Sequence, residues 1–228
     1  IINYLRTGDN VVWQVDSVED YEKVVTLFVK NAVTSNQRVV YMRFARHSKL
    51  LEEKNNVKVY HLKVKKGFES FSSQVHEIIT KEGRDIYYVF DCLSDLLHVW
   101  ATDLMIGNFF FITCPYLFEL NTIAYFAVLR KMHSFKTIAR IRETTQVLID
   151  MYNYKELICV HPLKVQNRYS HTMFFPHIKE DEDLVPVINS VEAAELFFHL
   201  SRENTMNASL HLDYWDRLFI VAKDLVES

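Results

Sequence analysis

Glycine is scarce, four in 228 residues, and none falls in the turn after the first apolar run, Val11 to Val15. A loop that wraps a phosphate needs the backbone freedom glycine gives, so this turn is poorly suited to one. Cysteine is rarer still. Cys92, Cys114 and Cys159 stand far apart in apolar surroundings. That argues for reduced, buried thiols in a cytoplasmic protein, and against disulfides or a thiolate metal site. The histidines show no compact ligand spacing, so no metal is expected. Charge of one sign never runs long and the net charge is −3, which leaves no footprint for nucleic acid. No apolar run reaches the roughly 18 residues that span a bilayer, so no membrane is expected. The longest candidate, Leu104 to Leu120, is interrupted by Gly107, Asn108, Pro115 and Glu119 and reads as a buried helix. There is no signal-peptide pattern, no internal repeat and no low-complexity stretch. No Ser-His-Asp, Cys-His or paired-carboxylate set stands out, and Ser94 with Asp95 and His98 reads as a helix start. Beginning on Ile1 rather than Met, the chain is expected to be a piece of a longer protein.

What is present is an alternation of strands and helices. Val11 to Val15 form a buried strand and Ser17 to Thr34 a helix with Tyr21, Val25, Phe28, Val29 and Ala32 inward. Arg38 to Phe44 and the alternating Val57 to Val64 are strands, the second nearer an edge. Phe68 to Glu82 is a helix stopped by Gly83. Ile86 to Phe90 and Thr122 to Leu129 are fully buried strands, with helical segments at Asp95 to Trp100 and Leu104 to Leu120 between them. After a helical stretch in His133 to Thr145 come only strands: Gln146 to Tyr152, Glu156 to Val165, Met173 to Ile178 and Leu184 to Ile188, with a hairpin turn at Lys179 to Asp183. The expected fold is α/β, a mostly parallel sheet flanked by helices and extended by an antiparallel meander, over 1–189. A helical extension over 190–228 follows, with a polar linker at Glu203 to Ser209 and an amphipathic helix at Asp213 to Val226.

The turn after the first strand carries Asp16, Glu19, Asp20 and Glu22. Four carboxylates repel a phosphate. Ser17 is placed to cap the helix, and Asp20 three residues on completes a capping box. The point where such folds hold phosphate on a helix start therefore reads as closed.

Asn10 to Val25, Arg38 to Leu50 (RVVYMRFARHSKL), Tyr87 to Leu97 (YYVFDCLSDLL) and His161 to His177 (HPLKVQNRYSHTMFFPH) together resemble the RecA-type ATPase core and its KaiC branch, over about Leu5 to Ile188. The resemblance implies a phosphate loop at Asp16 to Lys23, a magnesium-binding aspartate at Asp91 followed by Ser94, and a lysine–arginine pair, Lys164 and Arg168, that reaches toward a neighbour's nucleotide. More narrowly, GDNVVWQVDS, FDCLSDLLHVWATDLMIGNFF, CPYLFEL and HSFKTIARIRETTQ resemble the N-terminal domain of phosphoenolpyruvate synthase or pyruvate phosphate dikinase-like proteins. That implies ATP-grasp and phosphohistidine domains downstream, a parent phosphotransferase between pyruvate and phosphoenolpyruvate using ATP and magnesium, and a junction at Leu212 to Phe219.

The chain departs from the pattern where chemistry would need it. Aligned on Asp16, GxxxxGKT becomes DSVEDYEK: Asp16 and Tyr21 replace the glycines, Glu22 the lysine and Lys23 the metal-binding Ser or Thr. The two catalytic glutamates fall on Ala45 and Arg46. A unit charge at about 4 Å is worth roughly 4 kcal/mol at an effective dielectric of 20, and phosphoryl transfer rests on positioning and charge. No catalytic residue, and no cofactor for this domain, is therefore expected. The charge pattern is inverted instead, since the usually acidic second turn carries Arg43, Arg46 and His47. Arg46 or His47 is expected either to pair with Asp16, Glu19 or Glu22 and plug the site, or to be solvated surface charge. His133, Lys136, Arg140 and Arg142 form a second basic group. With Lys164 and Arg168 it could bind an anion such as phosphoenolpyruvate, or its arginines could pair with Glu143 and Asp150. Phe109, Phe110, Phe111, Tyr116 and Phe118 read as core, with an exposed part suited to subunit packing in a homo-oligomer. The expected role is regulatory or architectural, the alternatives being a nucleotide-binding domain with an unorthodox site and an oligomerisation module.

Overall fold

A computed structural model describes residues 4–211 apart from 55, 101, 156 and 181–182, with side chains through 200. The helix expected at Asp213 to Val226 and the junction at Leu212 to Phe219 lie outside the described residues or extend beyond them. Contacts divide the chain into a unit ending at Pro186 and a second beginning at Val187.

The first unit is built on β1 (Asn10–Val15), β2 (Val39–Arg43), β3 (Val57–His61), β4 (Tyr87–Cys92), β5 (Ile123–Leu129), β6 (Val147–Tyr154), β7 (Leu157–Val165), β8 (His177–Glu180) and β9 (Asp183–Pro186). They form one sheet in the order β3-β2-β4-β5-β1-β6-β7-β8-β9. The strands from β3 to β6 pair in parallel, and β7, β8 and β9 are added antiparallel. The mostly parallel sheet with an antiparallel extension is as expected, and β3 is an edge strand.

Side-chain alternation sorts the core into two layers. Val11, Trp13 and Val15 of β1 join Tyr125 and Ile149 under α1 (Val18–Thr34). Val12, Phe90, Phe126 and Leu148 lie on the other face, under α2 (Phe68–Glu82), α3 (Leu104–Glu119) and α4 (Phe135–Thr144). Both faces of the central strands are thus covered, which is why they are apolar throughout. Gly8, just before β1, has φ +92°, and a Cβ there would sit 2.9 Å from the Phe118 ring, so this approach needs glycine.

The helical stretch expected at Asp95 to Trp100 is a 3-10 helix over Leu93–His98. Two elements differ from expectation. β8 starts at His177 rather than Met173, directly after Pro176, which has no N–H to donate to a ladder. In the second unit, α5 runs unbroken over Ser190–His211, so Glu203 to Ser209 is helix and not linker. The segment is polar but holds no glycine or proline to stop a helix. Among the described residues, no helix is long and apolar enough to cross a membrane.

Candidate functional site

In an open α/β sheet, ligands bind beyond the carboxyl ends of the strands, where successive crossovers leave to opposite faces. Here α1 leaves β1 to one face and α4 leaves β5, its neighbour, to the other. The crevice lies between the turn after β1 and the turn after β5.

An ion-pair network fills it. Arg130, the first residue after β5, donates from Nε to Asp16 Oδ1 at 2.8 Å, and its Nη1 lies 3.1 Å from Asp150 Oδ2. Its Nη2 donates to the Met151 carbonyl at 2.6 Å, and its backbone N–H donates to the Val15 carbonyl. Gln14 Nε2 supplies Asp150 Oδ1 at 2.7 Å. Burial pulls the Arg130 guanidinium down, but Asp150 and Asp16 outweigh it and hold the group above its ordinary value. Two carboxylates on one guanidinium leave Arg130 no free charge to offer a phosphate.

The helix start is also satisfied from within. Ser17 Oγ caps α1 by accepting from the Asp20 N–H at 3.2 Å. The Asp20 carboxylate accepts from Ser17 Oγ, from Lys23 Nζ at 2.8 Å and from Asn153 Nδ2 at 3.1 Å. Burial pushes this carboxyl up, and these three donors more than reverse it, holding it below its ordinary value. Tyr21, in the second glycine's place, is fully buried, and its hydroxyl donates to the Phe90 carbonyl at 3.1 Å. Phe90 lies where β4 gains a residue against β5, the pairing passing from Val89↔Tyr125 to Cys92↔Ala127. The bulge frees a carbonyl from the ladder, and the tyrosine takes it. Glu19 and Glu22 are exposed on α1.

Asp91 is fully buried on that bulge. Its carboxylate accepts from the Tyr41 hydroxyl, from Arg43 Nη1 at 2.7 Å, and from the Phe44 and Ala45 N–H groups, each at 2.7 Å. Burial, then the Asp91 charge, pushes the Tyr41 phenol up, so it remains a donor. The second turn therefore wraps the aspartate with a guanidinium and two backbone amides. Arg43 also donates to the His47 carbonyl. The Cys92 N–H donates to His47 Nε2 at 3.3 Å, which places the ring proton on Nδ1, 2.7 Å from the Ser48 carbonyl. Arg46 is exposed and its N–H donates to Asp95. The expected pairing of Arg46 or His47 with Asp16, Glu19 or Glu22 is not formed among the described residues. The plug is Arg43 on Asp91 and Arg130 on Asp16.

Of the second basic group, Arg142 and Lys164 come together, lining one pocket with His161, and the others lie apart. Arg140 lies over the Phe111 ring at 5.2 Å. Arg142 donates to the Leu163 carbonyl, and Lys164 Nζ donates to the Arg142 and Glu143 carbonyls at the end of α4, as cations commonly do at a helix C-terminus. Lys136 is exposed. Arg168 holds Asp9 in a bidentate pair, Nη1 to Oδ2 at 2.8 Å and Nη2 to Oδ1 at 2.9 Å. Asp150, a possible partner for the α4 arginines, belongs to Arg130.

His133 finds a different partner. Its Nε2 accepts from Ser94 Oγ at 2.6 Å, and that oxygen accepts from the Leu129 N–H at 2.7 Å. Ser94 is buried, and His133 Nδ1 meets no acceptor among the described residues. A serine with no exposure, beside a histidine with no carboxylate on its far nitrogen, is a tie between the ends of β4 and β5, not a nucleophile. Burial pushes the His133 ring down to about 4 against the pull of Asp103. The unfolded chain then binds this proton at an ordinary pH near 6.5 while the fold refuses it. Stability is full above pH 6.5 and falls by up to ~3 kcal/mol as pH drops toward 4. Urea midpoints between pH 7 and pH 4.5 should show this fall, and His133→Gln should flatten that part of the profile. An equal slope in the variant would assign the effect elsewhere.

Among the described residues, no three His, Cys, Asp or Glu side chains are grouped to hold a metal ion. Arg130, Tyr41 and Asp9 were not legible as site residues, and Arg168, expected to meet a nucleotide or another anion, holds Asp9 instead. The one available signal was position, since Arg130 is the first residue beyond a buried parallel strand. No protein-family model matches the chain, and no curated protein matches it.

Proposed function

We propose that residues 1–189 form a RecA-like domain of the KaiC branch whose nucleotide site is closed and non-catalytic. Its role is regulatory or architectural, within a larger phosphoenolpyruvate synthase or pyruvate phosphate dikinase-like protein whose downstream ATP-grasp and phosphohistidine domains use ATP and magnesium. The observation that carries this reading is the occupied crevice. Asp16 is committed to Arg130, and Asp91 accepts four hydrogen bonds with no exposure to solvent. A magnesium ion would have to displace a buried guanidinium, and a triphosphate would have to displace an ion pair while facing Glu19 and Glu22. The parallel sheet with its antiparallel extension supports the RecA-like part. Calorimetric titration with magnesium-ATP tests the closed site. No saturable heat is expected up to millimolar nucleotide, and no rise in melting temperature. A ligand at 100 times its Kd would add about 2.7 kcal/mol of stability, so binding of ordinary strength would be plain. Saturable binding abolished by Asp91→Asn would overturn the reading in favour of an unorthodox nucleotide site.

A homo-oligomer is the second reading. Phe111 and Phe118 of α3 and Phe135 at the start of α4 are 55 %, 49 % and 88 % exposed, more aromatic surface than a lone monomer ordinarily shows. Light scattering that gives the monomer mass at every concentration would count against it.

A further inference from the structure

The sheet is covered unevenly. Among the described helices of the first unit, α2, α3 and α4 share one face and α1 lies on the other. Between α1 and the part of the sheet running from β1 through β6 and β7 to β9 is a slot of about 690 Å³. Trp13, Ile149, Met151 and Val160 form its floor, and Leu27 and Phe28 of α1 its wall. Size and apolar lining are those of a small-molecule site.

The lining has a polarity. Among the described residues it includes two lysines, Lys23 and Lys179, and no carboxylate. Both lysines lie at the carboxyl end of the parallel strands. Lys23 bonds Asp20, which is tied to Asn153 near the end of β6. Lys179 is one residue beyond Ile178, which pairs through Cys159 with the level of Tyr152. Tyr4, Asn31 and Ser35 mark the opposite end. Lys179 pairs with Leu184, also in the lining, whereas Glu180 pairs with Asp183. Strand alternation turns those two acids to the other face. From Lys179 to the amino ends of the strands is about six residues, roughly 20 Å, the length of an extended fatty acyl chain.

We propose that this slot binds a free long-chain carboxylate, its alkyl tail along α1 and its carboxylate at Lys179 with Lys23 beside it. Charge complementarity selects the occupant: an apolar trough with Lys179 and the Asp20-paired Lys23 at one end, and no carboxylate among its described lining residues, fits an amphipathic anion. Each methylene buried contributes roughly fourfold in affinity, so a short-chain acid is held weakly. The proposal does not depend on the closed nucleotide site, and its readout is separate from ATP calorimetry.

The test is quenching of tryptophan fluorescence of the full chain by dibromostearate below its micelle concentration, with palmitate, octanoate and hexadecanol as competitors. Quenching should saturate at one ligand per chain and lose its main component in Trp13→Phe. Palmitate should compete, and octanoate and hexadecanol should compete at least tenfold less well. Lys179→Glu, a change at an exposed side chain, should weaken palmitate about tenfold and leave hexadecanol unchanged. Val24→Trp, which fills the slot, should abolish binding in protein whose melt remains cooperative. Absence of saturable quenching, equal competition by acid and alcohol, or palmitate binding unchanged in Lys179→Glu would each overturn the proposal, whatever the fate of the Val24 variant.

Discussion

Arg43→Met is expected to lower the free energy of unfolding by about 3 to 5 kcal/mol, read as a fall in the urea midpoint at constant slope. The reason lies in what remains. Asp91 has no exposure, and its partner's side chain is 14 % exposed. With the guanidinium gone, the carboxylate keeps the Tyr41 hydroxyl and two backbone amides, with His47 Nε2 3.7 Å away, but loses its bonded guanidinium charge. Water does not reach it, so its charge stays uncompensated at low dielectric. The arginine also donates to the His47 carbonyl, so the second turn loosens at the same time. Removing both charges should cost far less. In Arg43→Met with Asp91→Leu neither ion is stranded, and replacing both members of a buried pair is often close to neutral. A double variant as unstable as the single one would show that the turn, not the charge, sets the cost. A loss under about 1 kcal/mol in Arg43→Met, the size of an exposed pair, would refute the buried-plug account.

The sheet was legible because its signals are local. Phe68 to Glu82 was bounded to the residue by Gly83, a helix stop that acts without tertiary help. The buried strands β4 and β5 are apolar on both faces and so announce a central place in a parallel sheet. Where a signal was compositional rather than mechanistic it misled. Glu203 to Ser209 is polar, but polarity does not break a helix. Partners were the least legible of all. Asp16 and Arg130 are 114 residues apart and Tyr41 and Asp91 are 50 apart. Nothing in the spacing of acidic and basic residues names which carboxylate a given arginine will meet. The neighbouring places of the two turns at the carboxyl edge of the sheet suggested Arg46 and His47 for the acidic turn. Packing chose Arg43 for Asp91 instead, because strand alternation puts Tyr41 and Arg43 of β2 on the same face, beside the end of β4.

Arg168→Met should destabilise the fold by a similar amount, about 3 to 5 kcal/mol. The RecA-like resemblance points this arginine outward, toward a neighbour's nucleotide, and an outward arginine can be removed with little effect on folding. Its side chain is instead 1 % exposed and that of Asp9 is 5 % exposed. The fork meets both carboxylate oxygens, and Nη1 also donates to the Tyr4 carbonyl at 2.7 Å. This pair joins the loop before β1 to the loop after β7, two segments that no strand pairing connects directly. Without the guanidinium, Asp9 retains the Arg6 N–H as a donor, and the Tyr4 carbonyl loses its guanidinium donor. Lys164 is the internal comparison. It is the other member of the lysine–arginine pair but is partly exposed and donates to the carbonyls ending α4, so Lys164→Met should cost no more than about 1 kcal/mol. Urea unfolding of the two variants side by side separates the readings. A ligand-directed pair predicts two folded proteins of near wild-type stability, whereas a buried tie predicts that only the arginine is costly. If Arg168→Met matched Lys164→Met, the arginine would have to be reassigned to the surface.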